Sequence, residues 1–216
     1  MSLFPDLDAA LPEGVALFRN RLSQGEQLEI LADVARVIEQ APLFRPQMPT
    51  GPYMINTLTN CGERGWVSDK SGGYRYQTTH PETNEQWPPI PNAVRDCAVA
   101  AVREARLGDF DPDACLVNVY AADGRLSLHR DYDEAEFKWP IASLSFGNDA
   151  DFIIGGLKRA GPTQTIRLES GDVLVFGGPS RLRYHGVRKI IPGTSPIEHP
   201  VLPPGGRINL TLRRAA

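Results

Sequence analysis

Residues 126 to 134 read Leu-Ser-Leu-His-Arg-Asp-Tyr-Asp-Glu and place a histidine two positions before an aspartate. Alternate side chains of a β-strand point to the same face, so a strand here directs His129 and Asp131 to one side. His185 lies in a second alternating stretch, Arg-Leu-Arg-Tyr-His-Gly-Val. Two imidazoles and one carboxylate hold Fe(II) and leave coordination positions open for a co-substrate and oxygen. The pattern therefore predicts an iron site formed by His129, Asp131 and His185.

The choice of His185 depends on the other histidines of the chain. There are two, His80 and His199, and both precede prolines in loop-like sequence. His185 is therefore the candidate for the third ligand. The alternative for the His-x-Asp triplet is an ordinary solvated pair.

The last alternating run, residues 207 to 213, has one apolar face and one polar face that carries Arg207 and Arg213. An extended strand separates the two Cα atoms by roughly 20 Å, but the long side chains can converge on a molecule with two carboxylates. Arginine holds a carboxylate by two parallel hydrogen bonds. The run predicts a dicarboxylate site, with two surface arginines as the alternative.

Length and composition indicate one globular domain. The chain has 216 residues, of which 41% are hydrophobic, enough to bury a full core. It contains no apolar run of membrane-spanning length and does not start like a signal peptide, so we expect a cytoplasmic protein without membrane association. Its three widely spaced cysteines predict neither a disulfide framework nor a zinc site.

The net charge of −3 argues against a generic polyanion-binding protein. The charge is uneven, however, because residues 155 to 189 contain seven bases and two acids. This basic run could attract a phosphate backbone. The alternative is a solvated sheet face.

Two amphipathic helices are predicted ahead of a series of short strands. Ser23 and Glu26 form a capping box before the first helix, and Pro91 stands where a second helix can begin and continue through Arg106. A short apolar stretch at 14–18 could form a strand. Eight alternating runs then follow, at 115–120, 126–131, 141–146, 151–154, 163–169, 173–176, 182–190 and 207–213. These runs predict a mostly β fold, a double-stranded β-helix (jelly roll), with the two helices covering one outer face.

Residues 44 to 80 intersperse aromatic residues with Gly, Pro, Thr and Asn, and no period persists. Such a segment is typical of a lid of short hairpins that offers aromatic faces to a flat ligand, although some rings will belong to the core. We therefore expect a single domain over 1–216. Its parts are an N-terminal extension and helix (1–43), a substrate-recognition lid (44–80) and a jelly-roll core (114–213).

Several motifs resemble those of the AlkB family of Fe(II)- and 2-oxoglutarate-dependent dioxygenases, in particular the bacterial alkylation-damage repair proteins. The similar motifs are Thr-Asn-Cys-Gly at 59–62, Gly-Trp at 65–66, Asp-Ala-Cys-Leu at 113–116, Leu-Ser-Leu-His-x-Asp-x-Asp-Glu at 126–134, Gly-Gly-Leu-Lys-Arg at 155–159, Ser-Arg-Leu at 180–182, Tyr-His-Gly at 184–186 and Arg-x-Asn-Leu-Thr-x-Arg at 207–213. The resemblance extends from about residue 44 onward, and residues 1–43 carry no matching motif.

The resemblance implies roles for individual residues. It makes His129, Asp131 and His185 the iron ligands. It assigns the co-substrate 2-oxoglutarate to Asn118, Tyr120, Arg207, Asn209 and Arg213, with Arg207 on the carboxylate remote from iron and Arg213 nearer the metal. It places the substrate pocket at Trp66, Tyr74, Tyr76, Asp133 and Arg159. Tyr132 departs from the polar or charged residue that the family pattern predicts there.

The reaction implied by the resemblance is oxidative removal of an N-methyl group from a base in DNA, preferably single-stranded. It consumes O2 and 2-oxoglutarate and releases formaldehyde, succinate and CO2. Bases such as 1-methyladenine and 3-methylcytosine are cationic and pair poorly, so extruding them costs less than flipping an intact base. Aromatic faces at Trp66 and Tyr74 and the carboxylate of Asp133 favour a cation.

Three alternatives remain open at this stage. The same chemistry on RNA would share every motif. A 2-oxoglutarate-dependent hydroxylase of a protein or small molecule would need neither the aromatic lid nor the basic run. A non-catalytic jelly-roll module would lack a competent iron site. We expect a monomer in each case.

Overall fold

The computed structural model describes residues 10–216, and the first nine residues of the expected N-terminal extension lie outside the described residues. Within that range there are twelve strands and two α-helices. In chain order these are β1 (Val15–Phe18), α1 (Gln24–Gln40), β2 (Thr57–Gly62), β3 (Gly65–Asp69), β4 (Gly73–Gln77), α2 (Asn92–Glu104), β5 (Ala114–Tyr120), β6 (Leu126–His129), β7 (Ile141–Gly147), β8 (Asp149–Ile154), β9 (Gln164–Leu168), β10 (Val173–Phe176), β11 (His185–Ile191) and β12 (Arg207–Arg213). No helix of the described part is long and apolar enough to cross a membrane.

Both helices begin where their sequence signals predict. The Ser23 hydroxyl accepts a hydrogen bond from the Glu26 backbone N–H, and the Glu26 carboxylate accepts one from the Ser23 backbone N–H at 2.8 Å, so the capping box is complete. Pro91 directly precedes α2. This helix ends at Glu104, two residues earlier than predicted, because Arg106 adopts a left-handed conformation with φ of 56° that terminates a helix.

The eight predicted strands of the jelly roll are present and divide equally between two antiparallel sheets. The large sheet has the order β1-β10-β7-β12-β5-β2, and the small sheet has the order β6-β11-β8-β9. Strands β1 and β2 extend the large sheet at its two edges. The predicted double-stranded β-helix fold is therefore confirmed.

The outer face of the large sheet packs on the helices. Ile208, Leu210 and Leu212 of β12 belong to one hydrophobic cluster with Leu31 of α1 and Val94 of α2, and all five are at most 1% exposed. Burying an aliphatic side chain of this size contributes roughly 1.5 to 3 kcal/mol. The helices thus cover one face of β12 as predicted, and its polar face is left for the space between the sheets.

The expected lid is only partly separate from the core. Residues 57–62 form β2, which pairs with β5 in the large sheet, whereas β3 and β4 form an isolated hairpin. The hairpin starts at Gly65, which lies so close to the Trp87 ring that an added Cβ would be 2.4 Å from Cε2. Glycine is therefore required where the hairpin meets the core.

Cys61 and Cys115 face each other across β2 and β5, and both are buried. All three cysteines are free thiols, as the sequence predicts.

Candidate metal centre and its cavity

One cavity, of about 650 Å³, is lined by residues of both sheets of the jelly roll and of the β3–β4 hairpin. Its walls include every residue that the sequence predicts for the site. These are Trp66, Tyr74, Tyr76, Asn118, Tyr120, His129, Asp131, Asp133, Arg159, His185, Arg207, Asn209 and Arg213. The fold therefore brings residues from six strands and their loops into one space.

The three candidate iron ligands converge at one point of this cavity. His129 at the end of β6 lies directly opposite His185 at the start of β11. The Nε2 atoms of the two histidines lie 3.7 and 3.8 Å from carboxylate oxygens of Asp131. One donor atom from each residue lies within 4.8 Å of the others. This spacing suits three ligands around one metal ion.

The prediction that one strand carries both His129 and Asp131 is wrong. The β6 strand ends at His129, so Asp131 lies two residues beyond it, and β11 begins at His185 rather than at Leu182. Backbone pairing therefore aligns the two histidines, whereas side-chain contacts hold the carboxylate.

The imidazoles are oriented as metal ligands. The Nδ1 atom of His129 lies 2.9 Å from the Ser127 carbonyl oxygen, and that of His185 lies 3.0 Å from the Arg183 carbonyl oxygen. A proton on each Nδ1 satisfies these carbonyls and leaves Nε2 with a free lone pair toward Asp131. Burial lowers the pKa of His185 to about 4, so this ring is neutral at physiological pH, as a ligand must be.

Arg213 fixes the carboxylate of Asp131. Its Nε and Nη2 atoms donate to Oδ2 of Asp131 at 3.0 and 2.7 Å. Burial alone would raise the pKa of Asp131, but the charge of Arg213 holds it well below the ordinary range. Asp131 is therefore an anion, and the donor set of two imidazoles and one carboxylate fits Fe(II).

A buried ion pair that the sequence did not predict supports this arrangement. Arg181 and Glu134 form it at 3.0 Å, with side chains 2% and 1% exposed. Arg181 also donates to the main-chain oxygen of Asp131 at 2.8 Å, and Tyr76 donates to Glu134 at 2.9 Å. Both residues lie in motifs that resemble the family pattern, but their charge favours an exposed position from sequence alone.

Arg207 is a buried cation, and no carboxylate of the described residues forms an ion pair with it. It is 2% exposed, and its Nη1 donates to the carbonyl oxygens of Asn148 and Leu168 at 3.0 and 3.2 Å. Among residues 10–216 no carboxylate lies within ion-pair distance of it. Burial lowers its pKa to about 10, which still leaves it charged at neutral pH. A carboxylate entering the cavity would pair this charge.

Other residues of the predicted co-substrate set surround Arg207. Burial raises the pKa of Tyr120 to about 12, so its phenol stays neutral. Asn118 and Asn209 are paired across β5 and β12. The amide nitrogen of Asn209 donates to Ser143 Oγ and the Leu144 carbonyl oxygen, at 2.7 and 3.0 Å. Internal bonds therefore hold the Asn209 side chain in a fixed orientation.

The predicted substrate residues form a second wall. Trp66 stacks on Tyr74 with ring centroids 5.6 Å apart and planes 19° apart. Its indole N–H donates to Oδ2 of Asp133 at 2.9 Å. The two aromatic rings that the sequence predicts for the substrate pocket are thus one stacked unit. Strand pairing explains this, because Trp66 lies opposite Tyr76 in the hairpin and Tyr74 is its diagonal neighbour on the same face.

The predicted basic run is only partly neutralised within the protein, because three of its seven bases, Arg167, Arg181 and Lys189, pair with carboxylates. Arg167 pairs with Asp149 and Asp151, and Lys189 pairs with Asp151. Four arginines that line the cavity have no ion-pair partner among the described residues: Arg125, Arg130, Arg159 and Arg207. Unpaired positive charge therefore lies at the cavity wall as well as along part of the run.

Comparisons with known proteins agree with this geometry. A model of the 2OG-Fe(II) oxygenase superfamily matches residues 14–213. The chain is 43% identical over 204 residues to the alpha-ketoglutarate-dependent dioxygenase AlkB homolog of Caulobacter vibrioides (strain NA1000 / CB15N), covering 94% of this chain and 88% of that protein. It is 38% identical over 218 residues to the alpha-ketoglutarate-dependent dioxygenase AlkB of Escherichia coli (strain K12), covering 100% and 98%.

A solved structure shows the same fold. The structure of OsALKBH1 superimposes with a TM-score of 0.82 at 31% identity and covers 95% of this chain and 100% of that one. The resemblance inferred from the motifs is confirmed. The chain therefore belongs to the AlkB family of dioxygenases, enzymes that require Fe(II), 2-oxoglutarate and O2.

Proposed function

We propose that this dioxygenase removes N-methyl groups from alkylated bases of nucleic acid, with 1-methyladenine or 3-methylcytosine in single-stranded DNA as the preferred substrates. One observation carries the proposal: the stack of Trp66 and Tyr74, bonded to Asp133, lines the same cavity as the metal triad. A flat base on that stack would lie beside the metal, and a nearby carboxylate favours a base with positive charge.

The metal role falls to His129, Asp131 and His185. When bound there, Fe(II) with 2-oxoglutarate and O2 supplies the oxidant that hydroxylates the methyl carbon, which leaves as formaldehyde while 2-oxoglutarate becomes succinate and CO2. The protein contributes position: β-pairing fixes the two imidazoles, and Arg213 fixes the carboxylate.

The co-substrate role falls to the inner face of β12 and its neighbour β5. Arg207 binds the 2-oxoglutarate carboxylate remote from the metal, and Arg213 lies at the metal end because it already contacts Asp131. Tyr120, Asn118 and Asn209 line the space between them. A buried guanidinium with no acidic partner is a strong site for a carboxylate, because binding offsets its burial.

The substrate role falls to the cavity residues of the β3–β4 hairpin, with Asp133 and Arg159. Trp66 offers a ring face to the extruded base, and the Asp133 carboxylate favours a cationic base over a neutral one. Tyr76 shares the hairpin face with Trp66, and Arg159 lies at the wall with its charge free to meet a phosphate. These residues bind and orient the base without contacting the metal ligands directly.

Alkylated RNA is the second candidate substrate. The arginines on the cavity wall are compatible with it, because phosphates of DNA and RNA would bind them equally. The same arginines make a hydroxylase of proteins or small molecules the weaker alternative. We also propose that the enzyme acts as a monomer in the cytoplasm.

Formaldehyde release tests this function. Matched oligonucleotides carrying 1-methyladenine or 3-methylcytosine, as single-stranded DNA, duplex DNA and RNA, would be incubated with the enzyme, Fe(II) and 2-oxoglutarate. We expect the fastest release from single-stranded DNA. Faster release from RNA would establish the second candidate, and no release from any oligonucleotide while 2-oxoglutarate is consumed would contradict demethylation of nucleic acid.

A further inference from the structure

Arg130 lies between the metal ligands His129 and Asp131 in sequence, and two tyrosine rings hold its guanidinium. Its Cζ atom lies 5.0 Å from the ring centroid of Tyr132 and 5.6 Å from that of Tyr184. All three side chains line the cavity. A guanidinium that stacks on ring faces keeps its N–H donors, which lie in its plane, available to another group.

The charge of Arg130 is not neutralised, although three acidic residues follow it. Asp131 is paired with Arg213, Asp133 accepts the Trp66 indole N–H, and Glu134 is paired with Arg181. No carboxylate of residues 10–216 lies within ion-pair distance of Arg130. An oriented and unpaired guanidinium at a cavity wall is suited to a phosphate, which it can bind by two parallel hydrogen bonds.

Tyr132 supplies an exposed ring beside this cation. It is 53% exposed, and apart from Arg130 no cation or aromatic ring of the described part of the chain stacks on it. It stands where the family pattern predicts a polar or charged residue. A large exposed aromatic side chain next to a phosphate-binding cation is the combination that proteins use to hold single-stranded nucleic acid, since every base has a face that can stack.

We propose that Arg130, Tyr132 and Tyr184 form a flanking-nucleotide site. In it, Arg130 binds a backbone phosphate adjacent to the base in the cavity, and the exposed ring of Tyr132 stacks on the neighbouring base. This site rests on the proposed function, because it requires a polynucleotide whose methylated base occupies the cavity. It recognises backbone and base faces, so it adds affinity without sequence preference.

The salt dependence of binding tests the phosphate contact. On a single strand, each neutralised phosphate contributes about 0.7 to the slope of log K against log salt concentration. Binding of a labelled single-stranded oligonucleotide to the full chain would be measured by fluorescence anisotropy at several salt concentrations. Arg130→Gln should reduce the slope by about 0.7, and Arg130→Lys should retain it. The matched control is Arg103→Gln, an exposed arginine at the end of α2.

The stacking contact is tested by a second pair of variants. Tyr132→Ala should weaken oligonucleotide binding about tenfold, and Tyr132→Phe should bind as the unmodified protein does, because the ring remains. Fe(II) affinity, measured in parallel, should not change in any of these variants. The proposal would be overturned by any of three results. These are an unchanged salt slope in Arg130→Gln, equal oligonucleotide binding by Tyr132→Ala and Tyr132→Phe, and a parallel loss of Fe(II) affinity.

The outcomes also separate this site from the proposed function. Binding is measured without turnover, so an Arg130-dependent slope in a protein that fails to demethylate would leave the site standing and contradict the function. Demethylation by a protein whose slope does not depend on Arg130 would leave the function standing and contradict the site.

Discussion

Asp131 accepts more hydrogen bonds from side chains than either histidine of the triad makes. Arg213 binds its carboxylate through two nitrogens, and Arg181 binds its main-chain oxygen. Because β6 ends before this residue, backbone pairing does not position it. Arg213 and Arg181 therefore position the carboxylate of Asp131, whereas strand pairing positions the two imidazoles.

Glu134 is the residue on which both arginines depend. Replacing it with Ala would leave Arg181 buried without its carboxylate and would remove a contact of Arg213 at 3.4 Å. Breaking one partner of a buried pair costs about 3 to 5 kcal/mol. We expect Glu134→Ala to lower the free energy of unfolding by that amount in denaturant titrations and to weaken Fe(II) binding.

A neighbouring acid serves as the control for Glu134. Glu136 is exposed and pairs with Lys138 on the surface, so Glu136→Ala should leave both stability and Fe(II) affinity unchanged. Equal behaviour of the two variants would show that the pair of Glu134 with Arg181 has no role in holding the metal site.

At the scale of elements, strand β12 lies between the hydrophobic core and the cavity that holds the candidate metal site. Its apolar face packs on the helices, and its polar face lines the cavity. The alternation of residues 207–213 predicts this division, because strand period alone assigns the faces. It predicts neither that Arg207 is 2% exposed nor that it lacks an acidic partner, since both depend on residues far away in sequence.

Arg207→Lys should raise the concentration of 2-oxoglutarate required for half-maximal turnover, because an ammonium cannot reproduce the two parallel hydrogen bonds of a guanidinium. Steady-state kinetics with 2-oxoglutarate as the varied reactant measures this, with Arg103→Lys on α2 as the matched control. A variant with unchanged 2-oxoglutarate dependence and weaker DNA binding would assign Arg207 to phosphates instead.

The β3–β4 hairpin is the element that we expect to select the substrate. Stacking of a base on an aromatic side chain contributes about 1 to 3 kcal/mol, so Trp66→Ala should slow repair of methylated oligonucleotides about ten- to hundredfold. Decarboxylation of 2-oxoglutarate without a nucleic acid substrate should change little. Parallel loss of both activities would mean that Trp66 supports the iron site, through Asp133, rather than the substrate.

At the scale of the whole molecule, alternating runs were sufficient to predict the jelly roll, because each strand buries one face against helices or the opposite sheet. Two features were beyond the sequence pattern. Residues 57–62 join the large sheet although their surroundings suggested a lid. Glu134 and Arg181 are buried although isolated charges favour solvent, and only the finished fold shows that they meet.

The net charge of the whole molecule does not indicate the cluster of arginines at the cavity. The net charge is −3, yet unpaired arginines lie at the cavity wall, so local placement rather than total charge indicates a nucleic acid substrate. The two helices cover the opposite side of the large sheet, which leaves the cavity side free for a long polymer.

Formaldehyde release from a single-stranded oligonucleotide carrying 1-methyladenine, compared between the unmodified protein and Asp131→Ala, tests the central claim most directly. The unmodified protein should release one formaldehyde for each succinate formed, and Asp131→Ala should release none, because two histidines are too few protein ligands to fix the metal geometry. Fe(II) binding should fall with activity, while circular dichroism shows a folded chain. Near-normal formaldehyde release by Asp131→Ala would contradict an iron site formed by His129, Asp131 and His185.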